Sequence, residues 1–101
     1  MKIVLCCAMG LSTSLLVDNI KAVCEEGDEI VAVPLSDLKD VIQAYDVCLL
    51  GPQIRYKEKV VHSYADPYNI PVAVVDMIAY GRMDGKGAYN QAKELYGGKK
   101  S

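Results

Sequence analysis

The chain has 101 residues, of which 51% are apolar and 24% charged, and a formal net charge of −2. That length supports one domain with a core of its own, and the composition excludes a disordered or membrane-like chain. The acidic balance excludes the basic stripe that a nucleic-acid partner requires; the Lys99-Lys100 pair is too short to supply one.

No apolar run approaches the roughly 20 residues of a membrane-spanning helix, so no membrane insertion is expected. Residues 1–7 do not read as a signal peptide, because Ala8, Gly10 and Ser12-Thr13-Ser14 cut the apolar run short. The expected location is the cytoplasm. Cysteines stand at 6, 7, 24 and 48, none in C-x-x-C spacing, which supports neither a zinc knuckle nor a redox pair. A reduced compartment is the simplest reading, with no metal and no cofactor expected.

Taken in chain order, Lys2 to Cys7 is a continuous apolar run closed by a turn signal, the pattern of a buried parallel strand. From Thr13 to Glu26 the period becomes helical: Leu16, Ile20 and Val23 share a face, Val17 and Cys24 flank it, and Asp18, Lys21 and Glu25 lie opposite. Gly27 is expected to end that helix at its C′ position. Ile30 to Leu35 reads as a second strand, which Pro34 assigns to a sheet edge. Ser36 is expected to cap a short helix burying Leu38, Val41 and Ile42.

Val47 to Leu50 is a third buried strand, stopped by Gly51-Pro52, and Tyr56 to Ala65 a third helix that packs through Val60, Val61 and Tyr64 and ends at Asp66-Pro67. Ile70 to Val75 reads as a fourth strand, Met77 to Tyr80 as a single turn closed by Gly81, and Gly85 to Tyr96 as a last helix with Ala88, Ala92 and Leu95 inward. This alternation predicts an α/β fold: a four-stranded parallel sheet of order 2-1-3-4 flanked by helices in three layers. Residues 1–97 form the expected single domain and 98–101 a tail; Met1 opening the strand at once and the closing lysines suggest a separate protein.

In such a sheet ligands bind beyond the carboxyl ends of the strands, where the strand order reverses. For this order the switch falls between strands 1 and 3, at the loops that begin at Cys7 and Gly51, with Asp76 on the same rim. The segment Cys7-Ala8-Met9-Gly10-Leu11-Ser12-Thr13-Ser14 joins a buried strand to a helix N-terminus and is rich in small and hydroxyl residues. Backbone N–H groups and the helix field make such a loop a site for a phosphate dianion. The same field lowers the pKa of a thiol at its mouth, which marks Cys7 as a candidate acceptor of a phosphoryl group. Cys6, Cys24 and Cys48 read as core residues.

The loop resembles that of low-molecular-weight tyrosine phosphatases, Cys-x5-Arg-Ser/Thr, in Cys7 and Ser14, but Thr13 stands at the arginine position. Without the guanidinium the bidentate hold on a transferring phosphoryl group is missing, which suits a carrier better than a hydrolase. The expected topology is similar to that of those phosphatases.

Cys7, Ser12-Thr13-Ser14 and Leu15-Leu16-Val17, together with Leu49-Leu50-Gly51-Pro52-Gln53-Ile54, Tyr56, Asp76, Tyr80-Gly81 and Asp84-Gly85, resemble the enzyme IIB component of the bacterial phosphoenolpyruvate-dependent sugar phosphotransferase system, lactose/cellobiose/chitobiose type. The resemblance spans about residues 1–97. It implies that Cys7 is phosphorylated by a phosphohistidine of a IIA partner and passes the group to a sugar, a β-linked disaccharide by family analogy, held by the membrane IIC partner at the inner face of the plasma membrane. It further implies that residues 8–14 bind the phosphate and that Gly51, Pro52, Gln53, Tyr56, Asp76 and Tyr80 form an adjacent loop or docking face. Family loops often read Cys-Ser-Ala-Gly-Met-Ser-Thr-Ser; here Ala8, Met9 and Leu11 depart from that pattern, and Met9 and Leu11 offer an apolar contact around the cysteine.

Among the remaining residues, Asp76 caps the following turn or bonds the neighbouring loop, Arg55 attracts a phosphorylated partner or faces solvent, and His62, the only histidine, is a surface residue. The competing functions are a cysteine-dependent phosphatase or arsenate-reductase-like enzyme, and a flavodoxin-like or receiver-like module.

Overall fold

The structure, a computed structural model, describes residues 1–7 and 11–100, and the side chains of these except for residues 7, 11–13 and 98–100. Its strands are β1 (Lys2–Cys7), β2 (Glu29–Pro34), β3 (Val47–Leu50) and β4 (Val72–Val74), and its helices α1 (Leu11–Val23), α2 (Leu35–Val41), α3 (Glu58–Ala65), α4 (Met77–Gly81) and α5 (Gly85–Lys100). The sheet is parallel, with the expected order β2-β1-β3-β4. Pro34, which lacks an N–H, ends the edge strand β2 opposite Cys7.

The two-residue period of β1 divides the core into two layers. Ile3 and Leu5 pack with Leu16, Ile20, Leu49, Ala88 and Ala92 against α1 and α5. Val4 and Cys6 pack with Leu38, Ile42, Cys48, Leu50, Val61 and Ala65 against α2 and α3. All four of these β1 side chains are fully buried. Each aliphatic one among them contributes about 2 kcal/mol of burial free energy.

Several expectations require correction. Helix α1 starts at Leu11, ahead of Thr13, and ends at Val23, which is exposed rather than inward. Gly27 is not its C′ residue; with φ +91° it sits in a turn closed by the Asp28 N–H to the Glu25 carbonyl, 3.1 Å. Ser36 is no cap: the extended Pro34 (φ −71°, ψ 155°) passes directly from strand to helix, so Ser36 falls inside the first turn, exposed. Val41 is only half-buried.

The third helix is split, because Pro52 starts a tighter 3-10 segment, Pro52–Lys57, with a kink at Ile54 before α3 begins. On α3, Val61 is buried but Val60 is exposed, and the Asp66–Tyr68 3-10 turn follows rather than a stop, ended by Asn69 in the left-handed region. Strand β4 is shorter than Ile70–Val75, since Pro71 has no N–H to donate. Helix α5 runs on through Gly97-Gly98 to Lys100.

Several contacts tie α5 to the rest. Gly85 lies so close to the α1 backbone that a Cβ there would stand 2.3 Å from the Asn19 carbonyl carbon. Asn19 in turn donates from Nδ2 to the carbonyl of Met83 at 2.7 Å, holding that residue at φ 53°. At the opposite edge of the sheet, Tyr89 donates its hydroxyl to Asp28, whose other oxygen accepts from the Met1 ammonium at 2.9 Å. The Tyr89 oxygen also accepts the Glu25 N–H at 3.2 Å. The bond from Tyr89 is the first cause that holds the Asp28 carboxyl below its ordinary 3.8. Burial, then the Asp28 bond, pushes the Tyr89 phenol up to about 12.

Gly85→Ala is expected to lose about 3 kcal/mol in urea unfolding, because the atoms a Cβ would meet are backbone of Asn19 and Ile20 and two helices must part. Tyr89→Phe is expected to lose about 2 kcal/mol at pH 7, from a bond to a charged group. A group with a lowered folded pKa stabilises above its unfolded value. The gap between wild type and Tyr89→Phe should therefore stay constant between pH 3.8 and about 10, narrow as pH falls below 3.8, and narrow again above pH 10, where the unfolded tyrosine ionises before the folded one, whose phenol is raised to about 12. Unfolding midpoints measured across that range check both the sign and the window.

Candidate functional site

The carboxyl ends of β1, β3 and β4 form one rim. At the last β1–β3 pair, Cys6 lies opposite Leu50, and Gly51 continues the ladder by donating its N–H to the Cys6 carbonyl at 2.8 Å. Val75 does the same toward the Leu50 carbonyl at 2.9 Å. The backbone of Cys7 thus closes the central strand at the strand-order switch, paired with Pro34 on its other side. Helix α1 begins at Leu11, and its first turn carries no acidic residue to offset the partial positive charge of its free N–H groups.

Of the expected phosphate loop, Ala8, Met9 and Gly10 lie outside the described residues, as do the side chains of Cys7, Leu11, Ser12 and Thr13. Ser14 is described and exposed in the first turns of α1.

The described cysteines divide cleanly from Cys7. Cys6 and Cys48 are fully buried. Burial, and then the neighbouring Cys6, pushes the Cys48 thiol up to about 12. Cys24 follows the far end of α1, where burial and then Asp28 raise its pKa. A thiol held protonated is a poor nucleophile.

Beside the Cys7 rim, the loop after β3 and helix α4 enclose an open groove of about 490 Å³ lined by Pro52, Gln53, Arg55, Tyr56, Met77, Tyr80 and Gly81. Pro52 is half-buried, Gln53 is exposed, and Gly51 is buried beneath them. Tyr56 is 74% exposed, with the Lys57 ammonium 5.6 Å from its ring centroid. Arg55 reaches across, its guanidinium donating to Met77 Sδ at 3.8 Å. Tyr80 corrects the expectation of a surface contact: it is 6% exposed and belongs to the core under α1 and α5, touching the groove only from below.

Asp76 follows β4 and caps α4. Its Oδ2 accepts the Ala79 N–H at 3.0 Å. The residues missed by sequence reasoning are Met77 and Ile78, 62% and 67% exposed on α4, and Gln91 on α5. Gln91 accepts the Asp76 N–H at 3.0 Å and donates to the Val74 carbonyl at 2.7 Å. One turn is too short for periodicity to reveal which apolar residues face out, and a glutamine in a polar helix carries no signal of its own.

His62 is placed away from this rim, late on α3 as the chain returns toward the start of β4, between Glu58 at 3.6 Å and Asp66 at 3.8 Å. No helix among the described residues is long and apolar enough to cross a membrane.

Asp76→Ala is expected to cost about 1 kcal/mol in unfolding free energy through the lost cap, and Asp76→Asn much less, since asparagine caps nearly as well. Urea titrations of the two variants check this.

Comparison with known proteins points one way. Residues 2–91 match the family described as the PTS system, lactose/cellobiose-specific IIB subunit. The oligo-beta-mannoside-specific EIIB component of Bacillus subtilis strain 168 is 44% identical over 97 residues, covering 93% of this chain and 94% of that protein. The galactose-specific EIIB component of Lactococcus lactis subsp. cremoris is 37% identical over 101 residues, covering 92% and 94%. The solution structure of the cellobiose-specific IIB component from Borrelia burgdorferi superposes with a TM-score of 0.80 at 32% identity, covering 98% of this chain and 94% of that one. The lactose-specific IIB domain from Streptococcus pneumoniae shares the fold, with a TM-score of 0.82 at 19% identity and coverage of 95% and 97%.

Proposed function

The chain belongs to the lactose/cellobiose-specific IIB family of the sugar phosphotransferase system, whose members are phosphotransferases, and from that premise we propose that Cys7 is its phosphoryl carrier. The thiolate of Cys7 attacks the phosphorus of a phosphohistidine on a IIA partner; the P–S bond forms as the P–N bond breaks. A sugar hydroxyl held by the membrane IIC partner then attacks in turn; the P–O bond forms as the P–S bond breaks, the hydroxyl proton passes to water, and the thiolate is regenerated.

The single observation that carries this reading is the position of Cys7. It ends the central strand at the strand-order switch, just ahead of the N-terminus of α1. Three features of physical chemistry support it. The field at the N-terminus of α1 favours both a thiolate and a phosphate dianion beside it. The other thiols sit buried or at the far end of α1, two of them with raised pKa. Thr13 leaves the loop without the arginine that a cysteine phosphatase uses to hold its phosphoryl group, so the phosphocysteine survives until an acceptor arrives.

Gly51, Pro52, Gln53 and Tyr56, with α4 behind its Asp76 cap, form the docking face in this reading. Arg55 and Lys57 there complement an anionic phosphodonor. The sugar class is a β-linked di- or oligosaccharide, in keeping with the oligo-beta-mannoside and cellobiose systems of the relatives. The protein would work at the cytoplasmic face of the membrane, visiting the transporter transiently.

Intact mass after incubation with phosphoenolpyruvate, the general phosphotransferase proteins and a matching IIA tests the assignment. Wild type should gain one phosphoryl adduct and Cys7→Ala none. An adduct that persists on Cys7→Ala would move the carrier site elsewhere. No adduct on wild type, with IIA visibly phosphorylated, would sink the reading, and hydrolysis of an aryl phosphate would then be assayed for a phosphatase.

A further inference from the structure

The corner where β4 turns into α4 is held more firmly than an exposed loop requires. Val75 continues the sheet by donating to the Leu50 carbonyl. On either side of it, the side-chain amide of Gln91 takes the Val74 carbonyl at 2.7 Å and the Asp76 N–H at 3.0 Å. Asp76 then uses its carboxylate on Ala79, inside α4. A half-buried glutamine on α5 thus reads both hydrogen-bonding groups of the chain just where it leaves the sheet. Ala88, one turn before it, and Ala92, the next residue, are buried and apolar, so the amide is a polar link between an otherwise apolar stretch of α5 and the rim.

What this corner carries is α4, with Met77 and Ile78 outward and Met77 against Arg55 across the groove. We propose that Gln91 is a positioning residue for phosphoryl transfer: by bonding the backbone on both sides of Val75 it sets where α4 stands at the rim, and so the fit of the phosphohistidine donor. This rests on the carrier reading above. Gln91 touches no reacting atom in it. Its effect runs through Asp76 and α4, and geometry of this kind governs productive encounter, since a misplacement of about 1 Å can cost large factors in rate.

The test measures phosphoryl transfer from phosphorylated IIA to the full chain, varying donor concentration, for wild type, Gln91→Leu and Gln91→Glu. Leucine keeps the volume and removes both bonds; glutamate keeps the acceptor for Asp76 and loses the donor to Val74. Gln91→Leu should raise KM for the donor about fivefold to tenfold with the maximal rate within about twofold. Gln91→Glu should fall between it and wild type, and carries the test alone if the leucine variant does not fold.

In a Met77→Ala/Ile78→Ala background, Gln91→Leu should add less than about 1.5-fold, because its route through α4 is already cut. Amide exchange at Asp76 and Ala79 should quicken in Gln91→Leu, a readout independent of activity. Unchanged KM with a lower melting temperature, full additivity with the α4 variants, or unaltered exchange would each overturn the proposal. Wild type that accepts no phosphoryl group would instead bring down the carrier reading, and the positioning role with it.

Discussion

The burial of β1 on both faces is the constraint from which the rest follows. Ile3 and Leu5 face one helical layer, Val4 and Cys6 the other, and all four are sealed from solvent. A slip of one residue would exchange the two sets, so the register against β2 and β3 is strongly specified. Strand length then decides which residue emerges at the carboxyl rim. The last paired residue is Cys7, so the backbone of the proposed nucleophile is placed by a strand buried on both faces rather than by a loop.

The rim around it is assembled by three different exits from the sheet. At β2, Pro34 passes straight into α2 with no intervening loop. At β3, Gly51 keeps its N–H on the Cys6 carbonyl while Pro52 turns the chain into a tight 3-10 segment that throws Arg55 and Tyr56 outward. At β4, Asp76 caps a helix of a single turn and a half, too short to persist alone, which is why it needs an anchor from α5. The net charge of −2 therefore conceals a local excess of cations: Arg55 and Lys57 stand on the rim. The paired Asp28 and Glu25 lie at the opposite end of the molecule.

The strand order and the layers were legible because buried parallel strands write themselves as unbroken apolar runs, and a single proline sufficed to identify the edge. Local ends were less so. Ser36 has the chemistry of a cap, yet the strand ends at Pro34, one residue before the expected Leu35, and the helix starts at once, so the cap position falls on Pro34. Val23 and Val60 continue an apolar stripe that the actual helices tilt into solvent. Tyr80 and Tyr56 look alike in sequence and differ by the depth of the groove between them, a tertiary fact. Gln91 was invisible for the same reason: its partners, Val74 and Asp76, are set by how α5 crosses the sheet, which no local pattern encodes. Cys7 stands as a candidate on its sequence neighbours alone, since Gly10 and Ser12-Thr13-Ser14 carry the chemistry of an anion loop, and its role is the proposal made above.

A carrier of phosphoryl groups faces a demand that an enzyme with one substrate does not. The same sulfur must meet a donor protein and an acceptor site in turn, so the surface around it must release each partner. A large apolar patch would bind too well, and an all-polar one would not exclude water from a labile phosphocysteine. Under the proposed role the rim meets this with a few exposed apolar side chains, Tyr56, Met77 and Ile78, set among Gln53, Arg55 and Lys57. Methionine is suited to the task, since its flexible thioether can fit differently shaped partners at small cost. Arg55 resting on the Met77 sulfur keeps the cation close to the groove without burying it, available to an incoming phosphate. Under the proposed role, rigidity belongs to β1 and the corner that Gln91 secures, and adaptability to the side chains that α4 presents.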